Sequence, residues 1–217
     1  MREKELRTAL TEAGKRLVRE NLVQGTWGNL SARLDEKRMI VTPSGIDYLL
    51  LTPDDMVVVD IESLEHAGPH KPTSEKKLHA AIYADRREIN AVIHTHSEYC
   101  SVAAAARADF PSLDNAARTA VGQNIRCAAY GLPGTKKMTQ ATVAALKDRN
   151  GCFLANHGAI AMGTSLENAL NACRILENAA REHIEKTVLK KTGLKTFSDE
   201  ALLEAFFGKV ETPICYD

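Results

Sequence analysis

The chain's 217 residues suffice for one substantial core and would be a tight fit for two domains. Its 28 basic residues balance its 28 acidic ones, so the basic excess expected of a nucleic-acid binder is missing. No run of about 18 apolar residues is present to span a membrane, and the charged start MREKELRTAL lacks the apolar core of a secretion signal.

Apolar residues at Leu6, Ala9, Leu10, Ala13, Leu17 and Val18 recur at helical spacing, which predicts an amphipathic helix from Glu3 to Asn21. Short strands follow at Asn29–Leu34 and Met39–Thr42, joined by the polar turn DEKR, with a third at Met56–Glu62 beyond the break TPSG. The stretch HAGPHKPTSE reads as a loop, and Pro72 and Thr73 stand where a helix running to about Arg87 would begin. Next come the strand NAVIHTH, an alanine-rich helix Tyr99–Ala106, the strand IRCAAY and a helix Met138–Lys147. GCFLANHG and AIAMG read as two strands joined at a glycine. A long helix from Ser165 to about Lys190 follows, with Ser165 as its cap and Glu167 in its first turn. The interleaving predicts an α/β fold, and no convincing linker divides residues 1–217, so one domain is expected. The five cysteines, Cys100, Cys127, Cys152, Cys173 and Cys215, form no C-x-x-C pair and predict reduced thiols in a cytosol.

Within VIHTHSEYC two histidines stand one residue apart in an apolar run. Successive side chains of a strand point to opposite faces, so His94 and His96 would share one face and could chelate one ion. A catalytic zinc site usually takes three protein ligands and keeps a position open. His157 in LANHGAI, beside a glycine, is the third that a sheet would bring to them. The alternative for H-x-H alone is a pair of hydrogen-bonded polar residues at a strand end. His66 and His70 lie in a polar loop and are expected in solvent. His79, one helical turn after Glu75, either packs or supports a site residue, and His183, on a charged helix, is expected at the surface.

The stretches GTWGNLSAR, VTPSGIDY, PTSE, HTHSEYCSV and NHGAIAMG, in that order, resemble the class II aldolase/adducin family, nearest its fuculose-1-phosphate aldolase branch and short bacterial relatives. The similarity runs from about residue 5 to residue 185 and leaves a tail, 191–217, outside it. The resemblance implies a mixed-sheet α/β/α sandwich and a homotetramer with active sites between subunits. It also implies that His94, His96 and His157 hold a divalent metal, usually Zn2+, with Mn2+, Co2+ or Fe2+ as alternatives. Glu75 would be the catalytic carboxylate, able to ligate the metal at rest. A substrate phosphate would be held by Gly28, Asn29, Ser44, Gly45, Thr73 and Ser74. Glycines let backbone N–H groups approach an anion, Ser, Thr and Asn add neutral donors, and a helix N-terminus at Thr73 would favour phosphate. Taken singly, TPSG and GTWGN also read as ordinary turns.

The activity so implied is reversible cleavage of a ketose 1-phosphate to dihydroxyacetone phosphate and an aldehyde. L-Fuculose 1-phosphate and related 5-deoxy-ketose 1-phosphates are the substrates to consider. Glutamate at position 75 favours an aldolase over the family's ribulose-phosphate 4-epimerases, which tend to carry aspartate there. A methylthioribulose-1-phosphate dehydratase branch keeps the glutamate and the histidines, so both stay as alternatives. A non-catalytic adducin-like scaffold is the remaining reading, against which the full ligand set stands. One departure concerns the tyrosine by which the fuculose phosphate branch protonates the aldehyde oxygen from a neighbouring subunit. The corresponding stretch SLDNAARTAVG, near Asn115, contains none; Tyr130 and Tyr216 are the substitutes to consider. The terminal segment AFFGKVETPICYD would either fold over a site or pack by its aromatics.

Overall fold

A computed structural model describes residues 3–112 and 114–207; Cys215 and Tyr216, with the end of the terminal segment, lie outside the described residues. The chain opens with α1 (Glu3–Arg19), then β1 (Asn29–Arg33), β2 (Arg38–Val41), a single 3-10 turn (Pro53–Asp55), β3 (Val57–Asp60) and β4 (His66–Ala67). It continues with α2 (Lys76–Asp85), β5 (Ala91–Thr95), α3 (Glu98–Ala106), β6 (Phe110–Pro111), α4 (Asn115–Val121) and β7 (Asn124–Ala128). The remainder is α5 (Lys136–Ala145), β8 (Gly151–Leu154), β9 (Gly158–Gly163), α6 (Leu166–Thr192) and α7 (Asp199–Phe207). The strands form one sheet in the order β4-β3-β2-β1-β5-β9-β8-β7-β6. Among the described residues only β7 and β8 pair in parallel, so the sheet is mixed.

Helices cover both faces, and β8 and β9 therefore read as continuous apolar runs rather than alternating ones. Ala91 and Ile93 of β5 join Leu10 and Leu17 of α1, Ala103 of α3 and Leu176 of α6 in one core layer. Val92 turns the other way, toward Leu78 and Ile82 of α2 and Met138 of α5. Each fully buried leucine, isoleucine or valine among them stabilises the fold by about 1.5–3 kcal/mol relative to exposure. Because Val92 and His94 stand two apart, His94 faces the layer of α2, and its strand partner Asn29 in β1 faces it too.

Several expectations are corrected. The helix foreseen from Pro72 begins at Lys76 with Glu75 as its cap, and it ends at Asp85 rather than near Arg87. Pro72 is held extended by a bridge to Pro43, and the Thr73 amide donates to the Thr42 carbonyl, so tertiary pairing outweighs the proline signal. His157 sits in the turn between β8 and β9, not on a strand, because Asn156 adopts a left-handed φ of 57°. His70 is half-buried and 2.9 Å from Asp55, and His183 is half-buried with its ring 4.2 Å from that of Phe110; neither is simply solvated. Strands β4 and β6 and helices α4 and α7 were not expected. Asp114 does carry a sequence signal for α4, since its side chain accepts from the Ala117 amide as an N-cap.

The turn after β5 is pinned from α6. The Glu177 carboxylate accepts hydrogen bonds from the Tyr99 and Cys100 amides at 2.9 and 3.0 Å, capping α3 directly after the second histidine of the H-x-H pair. Replacing Glu177 by Ala is expected to lower stability by about 2 kcal/mol, since hydrogen bonds to a charged acceptor are the stronger kind. A urea titration would show it as a lower midpoint at unchanged slope. Among the described residues no helix is long and apolar enough to cross a membrane.

Candidate active site

The centre of the sheet, where β1, β5 and the β8–β9 turn meet, carries three imidazoles. The ring centroids of His94 lie 4.6 Å from those of both His96 and His157, and His96 and His157 are 4.9 Å apart. One nitrogen from each falls within 4.8 Å of the other two. His94 Nδ1 is 3.0 Å from the Ala159 carbonyl, which can only accept, so Nδ1 carries the hydrogen and Nε2 turns a lone pair inward. That bare Nε2 is 2.8 Å from Nε2 of His96. Glu75 completes the group, with Oε2 3.3 Å from His94 Nε2 and Oε1 3.7 Å from His157 Nε2.

The electrostatics favour the neutral form of two of the rings, His96 and His157. Burial, reinforced by His94 and His157, lowers the His96 pKa to about 4, and burial likewise lowers that of His157. Burial alone would raise the Glu75 carboxyl, but the neighbouring imidazoles as they gain charge at acid pH, His94 foremost, and the Asn29 amide outweigh it, so its pKa lies below the ordinary carboxylate value. Glu75 Oε1 and His157 Nδ1 are buried without a hydrogen-bond partner. Neutral imidazole lone pairs, an ionised carboxylate and an orphaned carboxylate oxygen are the donor set a divalent cation satisfies, so these residues fit a metal.

Around them lies a cavity of about 250 Å³, lined by every site residue named from the sequence and also by Thr26, Trp27, Pro43 and Pro133. Gly28 has φ +80°, and a Cβ there would meet the His94 carbonyl oxygen at 2.6 Å, so its glycine serves close backbone packing against β5. Gly45, at φ +77°, has open space where a Cβ would be; with the exposed Ser44 and Ser74 it forms an accessible polar edge. Thr73 is buried, its Oγ1 accepting from the Glu75 amide at 3.2 Å. Trp27, 63% exposed, stands with its ring 5.6 Å from His96 and walls the mouth with Pro133. The sequence signalled Trp27 only through its place between Gly25 and Gly28. Tyr130 is exposed beside Arg107, whose guanidinium lies 5.8 Å from its ring, and is not among the residues lining the cavity.

His79 also belongs to this layer, fully buried between Ser31 Oγ at 2.6 Å and Asn29 Oδ1 at 2.5 Å. Burial lowers its pKa to about 4. The unfolded chain, with its imidazole near 6.5, then binds more protons between those values. Folded stability is therefore complete above about pH 6.5 and falls by about 3 kcal/mol as the pH drops toward 4. Urea midpoints of metal-free protein across that window should decline, and less steeply for His79→Leu.

The chain matches the family model described as "Class II Aldolase and Adducin N-terminal domain" over residues 8–184. It is 36% identical over 178 residues to a Rhodospirillum rubrum protein named 5-methylthioribulose-1-phosphate/5-deoxyribulose-1-phosphate aldolase, covering 82% of this chain and 80% of that one. It is 33% identical over 176 residues to a Bacillus thuringiensis 5-deoxy-D-ribulose 1-phosphate aldolase, covering 81% and 82%. A solved structure of an L-fuculose 1-phosphate aldolase superposes with a TM-score of 0.80 at 33% identity, covering 93% of this chain and 94% of that one.

Proposed function

This chain belongs to the class II aldolase and adducin N-terminal domain family, and on that premise we propose that it is a metal-dependent aldolase cleaving a ketose 1-phosphate to dihydroxyacetone phosphate and an aldehyde. The observation that carries the reading is the convergence of three imidazoles and a carboxylate on one cavity. A divalent ion held by His94, His96 and His157 would supply Lewis acidity to the adjacent carbonyl and hydroxyl oxygens of the substrate. Zinc suits three imidazoles and a carboxylate, and manganese, cobalt and iron are the competitors.

Cleavage of the bond between C3 and C4, with the C4 hydroxyl giving up its proton as that carbon becomes the aldehyde, leaves negative charge delocalised from C3 onto the C2 oxygen beside the C3 hydroxyl, which a bound ion would stabilise in place of a lysine Schiff base. Glu75 is buried beside those oxygens' expected place and moves the proton at C3. Ser44, Gly45 and Ser74 are assigned to the substrate phosphate at the open edge, with Gly28, Asn29 and Thr73 shaping the wall behind it. Trp27 and Pro133 give the mouth an apolar wall suited to the end of a short deoxy sugar. Together with the names of the Rhodospirillum and Bacillus relatives, this favours a 5-deoxyribulose 1-phosphate or its methylthio analogue over fuculose 1-phosphate. Supplying a panel of these phosphates and measuring released dihydroxyacetone phosphate, with epimer and dehydration products followed in parallel, tests the assignment. Epimer or dehydration product without dihydroxyacetone phosphate would reject it.

The reading extends to a single domain, since strands from residue 29 to residue 163 share one sheet. It extends also to a homotetramer with sites between subunits, supported by the exposed Leu49 and Leu50. A reducing cytosol is the assigned compartment, in keeping with four free cysteines among the described residues.

A further inference from the structure

Behind Glu75 runs a row of buried polar groups that packing alone does not require. On the face of the sheet covered by α2, β1 presents Asn29 and Ser31, and α2 presents His79 and Tyr83. Tyr83 Oη is 2.9 Å from Ser31 Oγ, which is 2.6 Å from His79 Nδ1. His79 Nε2 is 2.5 Å from Asn29 Oδ1, and Asn29 Nδ2 donates to Glu75 Oε2 at 3.0 Å.

The direction of every hydrogen in this row follows from its carboxylate end. An ionised carboxylate only accepts, so Asn29 must turn its amide NH2 toward Glu75 and its carbonyl toward His79. A carbonyl also only accepts, so the hydrogen of the neutral His79 ring sits on Nε2. Nδ1 is then a lone pair that takes the Ser31 hydroxyl hydrogen, and Ser31 in turn accepts from Tyr83. Reversing any member sets two acceptors or two donors face to face in a buried place, and every member has a neighbour to forbid it.

We propose that His79 is a positioning residue: through Asn29 it holds Glu75 by Oε2, leaving Oε1 as the oxygen presented to substrate. The two oxygens are unlike in their surroundings. Oε2 takes the Asn29 amide, whereas Oε1 is buried with no hydrogen-bond partner. A carboxylate free to rotate would offer either oxygen; this one is indexed from behind. Asn29 thereby commits its carbonyl and one N–H to the wall, and only its second N–H remains for a substrate anion. The role rests on the aldolase reading, in which Glu75 moves the proton.

Two amide replacements separate positioning from packing. A glutamine at 79 carries its N–H at about the reach of Nε2, and an asparagine only at about the reach of Nδ1. His79→Gln is expected to keep kcat near the wild-type value. His79→Asn should lower kcat by roughly 10–100-fold, the scale of a small misplacement at a reacting centre, with KM and metal content unchanged. Long-range 1H–15N correlation spectra of the metal-free wild type give a readout independent of turnover and of any variant's folding, and should show the Nε2–H tautomer of His79 at neutral pH. An Nδ1–H tautomer, an imidazolium, or equal kcat in His79→Asn and wild type would overturn the proposal. A wild type inert toward every ketose 1-phosphate would overturn the aldolase reading and this role together, whereas an active wild type matched by His79→Asn removes only the role.

Discussion

Replacing Glu75 by Gln is expected to lower kcat by about 10²–10⁴-fold, the contribution of a positioned acid–base group, while the protein keeps nearly all its metal. The substitution is close to isosteric. Asn29 can still donate to the amide oxygen that replaces Oε2, so the row behind the site is preserved. Three imidazoles remain to hold the ion. The carboxylate's charge and its capacity to accept a proton are what is lost. Because Glu75 caps α2 and is buried, an Ala replacement would mix a packing change into the result. Steady-state kinetics with metal analysis on the same preparation checks the expectation. Normal turnover by Glu75→Gln would take the proton chemistry away from this carboxylate.

Removing the metal should cost the fold as well as the activity. Without a cation, the Nε2 lone pair of His94 and the partnerless Oε1 of Glu75 stay buried. An ion that binds the folded chain alone adds about 4 kcal/mol when its free concentration is a thousandfold above Kd. For a chain of this size each kcal/mol moves Tm by about 2–4 °C, so stripping the metal is expected to lower Tm by about 8–16 °C. The same chelator treatment should move the Tm of His94→Ala far less, because that variant has little ion to lose. A wild-type Tm indifferent to chelation would mean that no ion is shared by these side chains.

The histidine pair was legible because a strand's two-residue period puts His94 and His96 on one face, and that geometry holds although His96 lies one residue past β5. The α/β pattern was legible for a related reason: β8 and β9 are covered on both faces and read as unbroken apolar runs. What escaped was set by distant partners. The start of α2 depends on Pro72 meeting Pro43, and the ring state of His79 depends on Ser31 and Asn29, which approach it only once β1 lies beneath α2. Two-residue strands such as β4 and β6 carry too little pattern to be seen. Trp27 shows its place at the mouth only when the loop before β1 closes over His96.

The most direct measurement is the divalent metal content per chain, by plasma mass spectrometry, of protein purified without chelator and of its His94→Ala, His96→Ala and His157→Ala variants. Close to one equivalent in the wild type, and a substantial loss in each single variant, is the predicted result. Full occupancy in any of the three, or a wild type devoid of metal even after incubation with zinc, would contradict it.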